Sequence, residues 1–483
     1  MKESDSLISY NSKDSKFQKL DEIMTQGFLT KYPMLNLLCV YLIFIIDGIE
    51  MNYFNIFYIP FKEHFKLSDI KMEFLSSVLF IGVFFGSLFS GFLTKKYNRI
   101  NILKYGSLLL LISHLIMSFF FYLFILFIMR ILIGFALGLF VPISLNLFSE
   151  YLPKNIRGFL LLTCWTLFDL GIVIEGTIAL MIIPDLNENK LKYVLITCSI
   201  FNVAVVILNF LFLKDSPRNL LLNNKKEEAF EILNDINKGP LKDEDRQKIE
   251  SIYKTKFNNP NNVSIFEIFN KENKFTTICA IVIFFIEATG YYGIYVISSL
   301  TQKKILGETK EKYNKILIQQ IIMSVLTLLS SLIGGIILEI KSIGRKGAIL
   351  IFMILNCFCL LPAIYVKNGF TLFFAFNLIF YNIHGNIIIN YVVEFYPTKL
   401  RDLSSGFLLS MFRIACFISQ FLFIELFKIN YAIPYYVQTS FYIVGIVMTF
   451  LLPYEIEGVP LDYLNMHLEE DEAHKSKDYD TIK

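Results

Sequence analysis

Charged residues are scarce in this chain of 483 residues: they make up 18% of it, against 55% hydrophobic residues, whereas a soluble protein carries about 25% charged residues. The formal net charge is only +3, which gives no reason to expect a nucleic-acid partner. No loop contains a cysteine, because all seven lie inside apolar stretches, and this argues against a disulfide framework or a metal site. Those cysteines are Cys39, Cys164, Cys198, Cys279, Cys357, Cys359 and Cys416.

Motifs of catalysis are missing as well. The sequence has no phosphate-binding G-x-x-x-x-G-K-[ST] loop, no metal-ligand spacing and no nucleophile motif. The first 33 residues lack the short apolar core and cleavage site of a secretory signal peptide. We therefore expect no enzymatic activity, no cofactor, no metal ion and no direct use of ATP.

Apolar runs, by contrast, are abundant, and many are long enough for a membrane crossing, which takes about 20 residues. Between Lys104 and Glu150 the only acidic or strongly basic residue is Arg130, so we predict two helices there with a turn near Ser118–Tyr122. The other spans are predicted at 34–58, 74–94, 157–183, 193–213, 275–300, 316–338, 348–366, 369–393, 402–424 and 430–453. The fold class is therefore an all-α membrane protein with twelve transmembrane helices.

A charged segment divides the spans into two sets of six. We predict an N-terminal tail at 1–33, a six-helix bundle at 34–213, a linker with short helices at 214–274, a second bundle at 275–453 and a tail at 454–483. Lys and Arg mark the cytoplasmic side of short loops. Most of them share one side if both termini are cytoplasmic, although the lysines between 303 and 315 fall on the other side. We expect both termini to be cytoplasmic.

The pattern E-x-x-P-x-x-x-R occurs twice, each time between one apolar run and the next. Proline suits the first turn of a helix, so the Glu ends one span, the Arg begins the next, and the two can pair across a tight turn. Two copies at the same place in two halves indicate an internal repeat, which is how many transporters are built. The charged positions are Glu150 and Arg157 in the first copy, and Glu394 and Arg401 in the second.

Several further motifs accompany this repeat. R-x-x-x-G-x-x-x-G begins at Arg130, D-S-P-R covers 215–218, P-Y-E-I-E-G covers 453–458, D-G-I-E-M covers 47–51 and Y-Y-G covers 291–293. Over roughly positions 34–458 the chain thus resembles the major facilitator superfamily, in its sugar porter, synaptic-vesicle-two-related and organic ion transporter branch. The resemblance implies two pseudo-symmetric six-helix bundles and alternating access. It also implies gating roles for Arg99, Arg130, Glu150, Arg157, Arg218, Arg345, Glu394, Arg401 and Glu455.

The chain departs from the family in one loop motif. The family's G-x-L-x-D-x-x-G-R is G-F-L-T-K-K-Y-N-R over 91–99, with Lys95 in place of the aspartate, and the second copy has Lys341 there. These replacements remove two acids from the gating salt bridges that the resemblance implies. Glu339 is an alternative acid for the second half.

Ionisable groups near the membrane midplane cost several kcal/mol and mark transport pathways. Asp47 has a second acid, Glu50, one helical turn away on the same face. Burial disfavours an ionised carboxylate, so such a group can take up a proton on one side of the membrane and release it on the other. We predict that Asp47 and Glu50 bind substrate or protons, with a structural pair bonded to Tyr41, Asn52 or Asn55 as the alternative.

The same spans contain other candidate substrate or coupling residues: Asp169, Glu287, Tyr291, Tyr292, His384 and Arg413. Each also has a structural alternative. Asp169 can bond Trp165 or a threonine, Glu287 can form a helix–helix ion pair, and His384 can be a satisfied core residue. Arg413 stays charged and needs an anion, which is either the substrate's carboxylate or a permanent bridge to Glu287 or Asp47.

These observations predict a secondary active transporter that moves a small organic anion, such as a vitamin-like carboxylic acid, together with protons. The alternatives are a facilitator for a sugar or other neutral solute, an organic cation transporter, and a non-transporting receptor or scaffold. We expect the partners to be a small-molecule substrate, protons and the lipid bilayer. We expect a monomer, in the plasma membrane rather than in an organelle.

Overall fold

In this computed structural model the described residues are 15–153, 156–183, 190–256, 264–270, 273–294, 297, 301, 313–338, 340, 343–365, 370–396 and 398–452. Throughout these ranges the regular structure is helical, without a strand. Twelve of the described helices are long and apolar enough to cross a membrane. The predicted all-α membrane protein with twelve spans is thus confirmed.

The N-terminal half contains six of these spans. They are α2 (Lys31–Ile56), α4 (Asp69–Lys96), α5 (Arg99–Phe119), α6 (Leu123–Tyr151), α7 (Arg157–Ile182) and α8 (Leu191–Phe212), with α1 (Ser15–Gln26) before them and the short α3 (Tyr58–His64) after α2. The turn between α5 and α6 lies inside the stretch predicted from the sequence. Asn98 caps the N-terminus of α5, because its side-chain oxygen accepts a hydrogen bond from the Ile100 N–H at 2.8 Å.

The C-terminal half repeats this arrangement after a linker. The linker contains α9 (Pro217–Leu222), α10 (Lys226–Ile236), α11 (Asp243–Lys256) and a 3₁₀ turn (Ile265–Phe269). The six spans are α12 (Lys274–Ala288), α13 (Tyr313–Leu338), α14 (Gly344–Tyr365), α15 (Phe370–Phe395), α16 (Thr398–Ile429) and α17 (Ile433–Leu451). A π-helical turn, Thr289–Gly293, directly continues α12.

The two halves pack against each other along α4 with α16 and along α7 with α13. Between α4 and α16 the backbones approach so closely that a Cβ on Gly406 would lie 2.6 Å from the Ser87 carbonyl oxygen. Glycine permits this approach because it has no side chain. The contact lies beside the turns that carry Glu150 and Arg401, and we call this end of the bundle the motif end. The two halves are closed against each other at the motif end.

The segment predicted as an N-terminal tail contains α1, which packs on the linker helices α10 and α11. Leu20, Ile23 and Met24 of α1 are buried on one face of the helix. Helix α10 in turn packs on α2, the first span. The described part of this segment therefore packs with the linker helices α10 and α11 in a small helical layer next to the first span.

Some positions from the sequence analysis cannot be placed. Lys154, Glu339, Lys341 and Glu455 lie outside the described residues. Glu394 is in α15, but only its backbone is described.

Candidate substrate and coupling site

Asp47 and Arg413 belong to different halves and interact electrostatically, although no ion pair joins them within 4.0 Å. Asp47 is on α2, Arg413 is on α16, and both side chains are buried. Arg413 is the cation that acts most strongly on the Asp47 carboxylate. Its Nη1 donates a hydrogen bond to the Tyr292 phenol oxygen at 3.3 Å. Neither Asp47 oxygen accepts a hydrogen bond from a described residue, so this carboxylate has unused acceptor capacity beside a cation.

Tyr291 and Tyr292 reach this boundary through the π-helical turn that follows α12. Such single turns are frequent at functional sites. The Tyr292 ring packs edge-on against Phe80 of α4, with 4.6 Å between the ring centroids. The Tyr291 ring stacks on Tyr381 of α15 at 5.3 Å. The two tyrosines therefore connect the Arg413 region to both halves of the protein.

Glu50 is one turn further along α2 than Asp47, but its carboxylate points into the N-terminal half. Its Oε1 lies 2.5 Å from Nδ1 of His114 on α5, and its Oε2 lies 3.7 Å from Nη1 of Arg130 on α6. Arg130 also donates to the Glu50 backbone oxygen at 2.9 Å. Asp47 and Glu50 are therefore neighbours on one helix whose charged partners belong to different halves.

A third acid, Glu175 of α7, lies beside the Glu50 cluster. It is fully buried, and neither of its oxygens has a hydrogen-bond partner among the described residues. Arg130 and Glu50 both act on it electrostatically. Two buried carboxylates thus share the charge of one guanidinium in the N-terminal half.

Asp169 of α7 accepts hydrogen bonds from neutral donors of the opposite half. Thr327 and Ser331 of α13 donate to its two oxygens at 3.2 and 3.0 Å. Asn382 of α15 donates at 2.9 Å, and Asn386 joins the cluster by donating to the Ser331 hydroxyl at 3.2 Å. This cluster crosses the boundary between the halves and is rich in hydroxyl and amide groups.

Glu287 is bound within the C-terminal half. Its Oε1 lies 2.8 Å from Nδ1 of His384 on α15. The other ring nitrogen, Nε2, lies 2.5 Å from the side-chain amide of Asn356 on α14. Among the described ion pairs, Glu287 is thus paired with histidine, while Arg413 lies beside Asp47 and Tyr292.

Four charged side chains from both halves, three of them buried, meet at the motif end. Arg99 donates to Asp402 of α16 at 2.7 Å and to Glu150 of α6 at 3.0 Å. Arg401, also of α16, lies 3.5 Å from the same Glu150 oxygen. Asn146 donates to the second Asp402 oxygen at 2.7 Å. We call Arg99, Glu150, Arg401 and Asp402 the gate cluster, because it joins the two halves where they close.

The gate cluster adds two contacts to those expected from the sequence. The ion pairs described for Glu150 reach Arg99 and Arg401, which lie in other segments. The acid for Arg99 comes from Asp402 in the first turns of α16, although Lys95 replaces the aspartate of the loop motif. The N-terminus of a helix stabilises a carboxylate, so an acid near the start of α16 can pair with Arg99 in place of one in the loop motif.

The linker reaches the gate cluster through the D-S-P-R segment. Ser216 caps α9 and donates its hydroxyl hydrogen to Glu150. Tyr151 donates to the Asp215 backbone oxygen at 2.6 Å. Burial raises the pKa of the Asp215 carboxyl to about 6, although Arg99 opposes this rise. A change in the linker can therefore alter the charge balance around Glu150.

The other arginines of the motifs are also buried near this end. Arg157 is the first residue of α7, Arg218 is in α9 and Arg345 is in α14. A Cβ on Gly158 would lie 2.9 Å from Nη2 of Arg345, so this side chain reaches from the C-terminal half to the N-terminal half.

We expect Asp402→Asn to loosen the motif end. The change removes the acid that Arg99 binds across the halves, and losing one partner of a buried pair costs roughly 3–5 kcal/mol. Ser90 of α4 is buried beneath this contact, so Ser90→Cys is a reporter of opening. Alkylation of this cysteine by a membrane-impermeant maleimide should become at least about tenfold faster, since tenfold corresponds to about 1.4 kcal/mol. Glu228→Gln, at an exposed linker acid, is the control, and equal rates in both variants would contradict the assignment.

Comparisons with known proteins agree with this architecture. A profile of the family described as "Sugar (and other) transporter" matches residues 32–467. The synaptic vesicle 2-related protein of Bos taurus is 25% identical over 93% of this chain and 83% of that protein. The 4-hydroxybenzoate transporter PcaK of Pseudomonas putida is 23% identical over 43% of this chain and 45% of that protein.

Solved structures share the fold. The proton:xylose symporter XylE bound to 6-bromo-6-deoxy-D-glucose, of the major facilitator superfamily, superimposes with a TM-score of 0.77 at 18% identity. The similarity covers 90% of this chain and 98% of XylE. Since the family profile spans nearly all of the twelve-helix body, this chain belongs to the sugar (and other) transporter family and is a multi-pass membrane transporter.

Proposed function

We propose that the protein is a symporter that moves a small organic anion together with protons. The observation that carries this proposal is that Asp47 and Arg413, one from each half, are both buried and interact electrostatically. A buried guanidinium needs an anion at all times. In the empty transporter that anion is Asp47, and during transport it is the carboxylate of the substrate.

This arrangement couples the two ligands by charge. When Asp47 takes up a proton it loses its charge, and Arg413 then lacks an anion. A substrate carboxylate restores neutrality and fits the planar guanidinium through two parallel hydrogen bonds. Tyr292 orients the guanidinium, because its phenol oxygen accepts from Nη1. The proton and the anion therefore bind together, and the loaded site carries no net charge when the halves rock.

Glu50 supports the same step from the N-terminal half. It keeps Arg130 and His114 in place one turn from Asp47. Asp47 is the coupling carboxylate in this proposal, and Glu50 is the group with which it can share the role.

Similar proteins support an organic anion as the substrate class, with a neutral polyol as the second candidate. PcaK is named for 4-hydroxybenzoate, a small carboxylate. The polyol is favoured by one specific observation, the Asp169 cluster, whose hydroxyl and amide groups match those that bind sugars. An organic cation is disfavoured at the central boundary, because Arg413 lies there.

Binding can be tested without transport by thermal unfolding of the purified protein. A ligand at 100 times its Kd stabilises the folded state by about 2.7 kcal/mol. We expect 4-hydroxybenzoate or benzoate to raise the Tm and xylose and choline to leave it unchanged. The Arg413→Ala variant should lose this response. A response to xylose that survives in Arg413→Ala would support the polyol instead.

The motif end should face the cytoplasm, because most Lys and Arg of the short loops lie there. An epitope tag inserted at Lys154, which lies outside the described residues, should be reached by antibody only after permeabilisation. A tag that antibody reaches on intact cells would show that the motif end faces the outside of the cell. We also expect a monomer in the plasma membrane.

A further inference from the structure

Glu175 of α7 differs from the other acids of the N-terminal half in having no bonded partner. Its side chain is fully buried, and neither of its carboxyl oxygens has a hydrogen-bond partner among the described residues. Buried polar groups in native proteins are nearly always hydrogen-bonded, so an exception needs an explanation. The smallest ligand that can satisfy a buried carboxylate is a proton.

Two neutral side chains from neighbouring helices lie close to Glu175. The next residue, Gly176, packs on α2, where a Cβ would lie 3.8 Å from Cδ1 of Ile56. Tyr53, one turn before Ile56, interacts electrostatically with Glu175, and its hydroxyl has no partner among the described residues. The thiol of Cys198 on α8 interacts with Glu175 as well. A buried phenol and a buried thiol are neutral near pH 7, so neither brings a charge to Glu175.

Arg130 of α6 is the cation that interacts with Glu175. Its Nη1 donates to the Glu50 backbone oxygen at 2.9 Å and lies 3.7 Å from Glu50 Oε2. Its guanidinium lies over the Phe54 ring, 4.6 Å from the centroid. The described ion pair of Arg130 is thus with Glu50, and Nε has no partner among the described residues. The guanidinium is therefore bound to α2 and keeps an unused donor.

His114 of α5 binds the same Glu50 carboxylate from another side. Its Nδ1 lies 2.5 Å from Glu50 Oε1. Its Nε2 lies 2.9 Å from the backbone oxygen of Leu195, which can only accept, so Nε2 carries a hydrogen. Nδ1 faces a carboxylate oxygen, so a further proton lies between the two groups. With this proton the pair of Glu50 and His114 has no net charge, and Arg130, which stays charged, lacks a full counter-charge.

Two opposing effects therefore act on the protonation of Glu175. A buried carboxylate without hydrogen bonds is costly, which favours the neutral acid. A nearby guanidinium that lacks a full counter-charge favours the ionised form. Because the two effects oppose each other, a movement of the Arg130 guanidinium towards Glu175 or away from it changes which form is favoured.

We propose that Glu175 is a second proton-binding site, which holds a proton while Arg130 is bound to α2 and releases it when the guanidinium turns to Glu175. The unused Nε of Arg130 and the two unpaired carboxyl oxygens supply the donor and the acceptors of that contact. One proton leaves, and the ion pair that forms is neutral. The site rests on the proposed function in one respect, since its proton contributes to transport only if transport is proton-coupled.

The proposal is tested by infrared spectroscopy of the full-length protein, reconstituted in nanodiscs without substrate. A protonated carboxyl group has a carbonyl stretching band that ionised carboxylates and amides do not share, and the difference between wild type and Glu175→Gln isolates the band of Glu175. We expect this band at about pH 5 and its loss towards about pH 9, the range in which buried acids titrate. Glu175→Asp keeps a carboxyl group, so its band should be present, which separates loss of the acid from a change in fold. Glu425→Gln, at an exposed acid that pairs with Lys428, is the control and should leave the band unchanged.

Two further variants test the role of Arg130, and each is compared with the same variant carrying Glu175→Gln. Glu50→Gln removes the other carboxylate of Arg130, so the titration midpoint of the Glu175 band should move down by at least about one pH unit. Arg130→Gln removes the cation, so the midpoint should move up. The absence of a Glu175 band in the wild type, a band that stays constant over the whole range, or shifts in the same direction in both variants would overturn the proposal. The measurement does not involve transport, so a failure here leaves the role of Asp47 untouched, and a failed transport assay leaves this site untouched.

Discussion

Replacing Arg413 by lysine is expected to weaken substrate binding about 30-fold to several-thousand-fold, which corresponds to the roughly 2–5 kcal/mol lost with a buried charge-assisted pair. Lysine keeps the positive charge but has one point-like ammonium group, whereas the guanidinium offers two parallel donors to a carboxylate. Arg413→Ala should lose at least as much. The measurement is the affinity for 4-hydroxybenzoate at matched amounts of protein in the membrane.

The control for this prediction is Arg246→Lys, which changes the same residue type in the linker, where the guanidinium lies over the Phe230 ring. It should leave the affinity unchanged. Unchanged affinity in Arg413→Lys and in Arg413→Ala would remove the organic-anion proposal and favour a neutral solute. A purely structural pairing with Asp47 predicts something else: the single variants fail to accumulate in the membrane, and the swapped variant Asp47→Arg with Arg413→Asp restores them.

Asp47→Asn should abolish accumulation that is driven by a pH gradient and should preserve exchange of substrate across the membrane. Asparagine has nearly the same shape as aspartate, but it cannot take up a proton near neutral pH. It therefore mimics the protonated site permanently, and the transporter can still carry the anion in both directions. The measurement is uptake into proteoliposomes with a pH gradient, compared with counterflow in vesicles preloaded with substrate.

The matched control is Glu425→Gln, at an exposed acid that pairs with Lys428. This variant should accumulate substrate like the wild type. If Asp47→Asn still follows the pH gradient, Glu50→Gln shows whether the neighbouring acid carries the proton. Accumulation in both variants would place the coupling site elsewhere.

The fold could be predicted from the sequence because its strongest determinants are local. Twelve apolar runs of sufficient length specify twelve spans whatever their partners are, and the repeated E-x-x-P-x-x-x-R turns indicate two related halves. Isolated charges near the midplane indicated where buried polar contacts would lie. Asp47, Asp169, Glu287 and His384 are all buried in the structure.

The partners of these charges could not be predicted, since they depend on how helices distant in sequence pack together. Asp47 and Glu50 share a helix face by spacing, yet Asp47 interacts electrostatically with Arg413 of the other half, whereas Glu50 pairs with His114. The number of charges in the loops does not indicate that Asp402, next to Arg401, pairs with Arg99 although the loop motif has Lys95 in place of its aspartate.

Glu175 was missed for a different reason. It lies six residues beyond Asp169 on α7, further from the middle of the span, so its position indicates a role in the pathway less strongly. An acid anywhere inside an apolar run is costly, and this cost is the feature of the sequence that points to Glu175.

The central claim is that a proton and an organic anion cross the membrane together. Its most direct test is uptake by the purified protein in liposomes from a panel of radiolabelled 4-hydroxybenzoate, xylose and choline, with and without a pH gradient. The account predicts that 4-hydroxybenzoate accumulates only when the vesicle interior is alkaline, and that a protonophore abolishes this accumulation. Uptake of xylose or choline in its place, or equal uptake of 4-hydroxybenzoate without the gradient, would contradict the account.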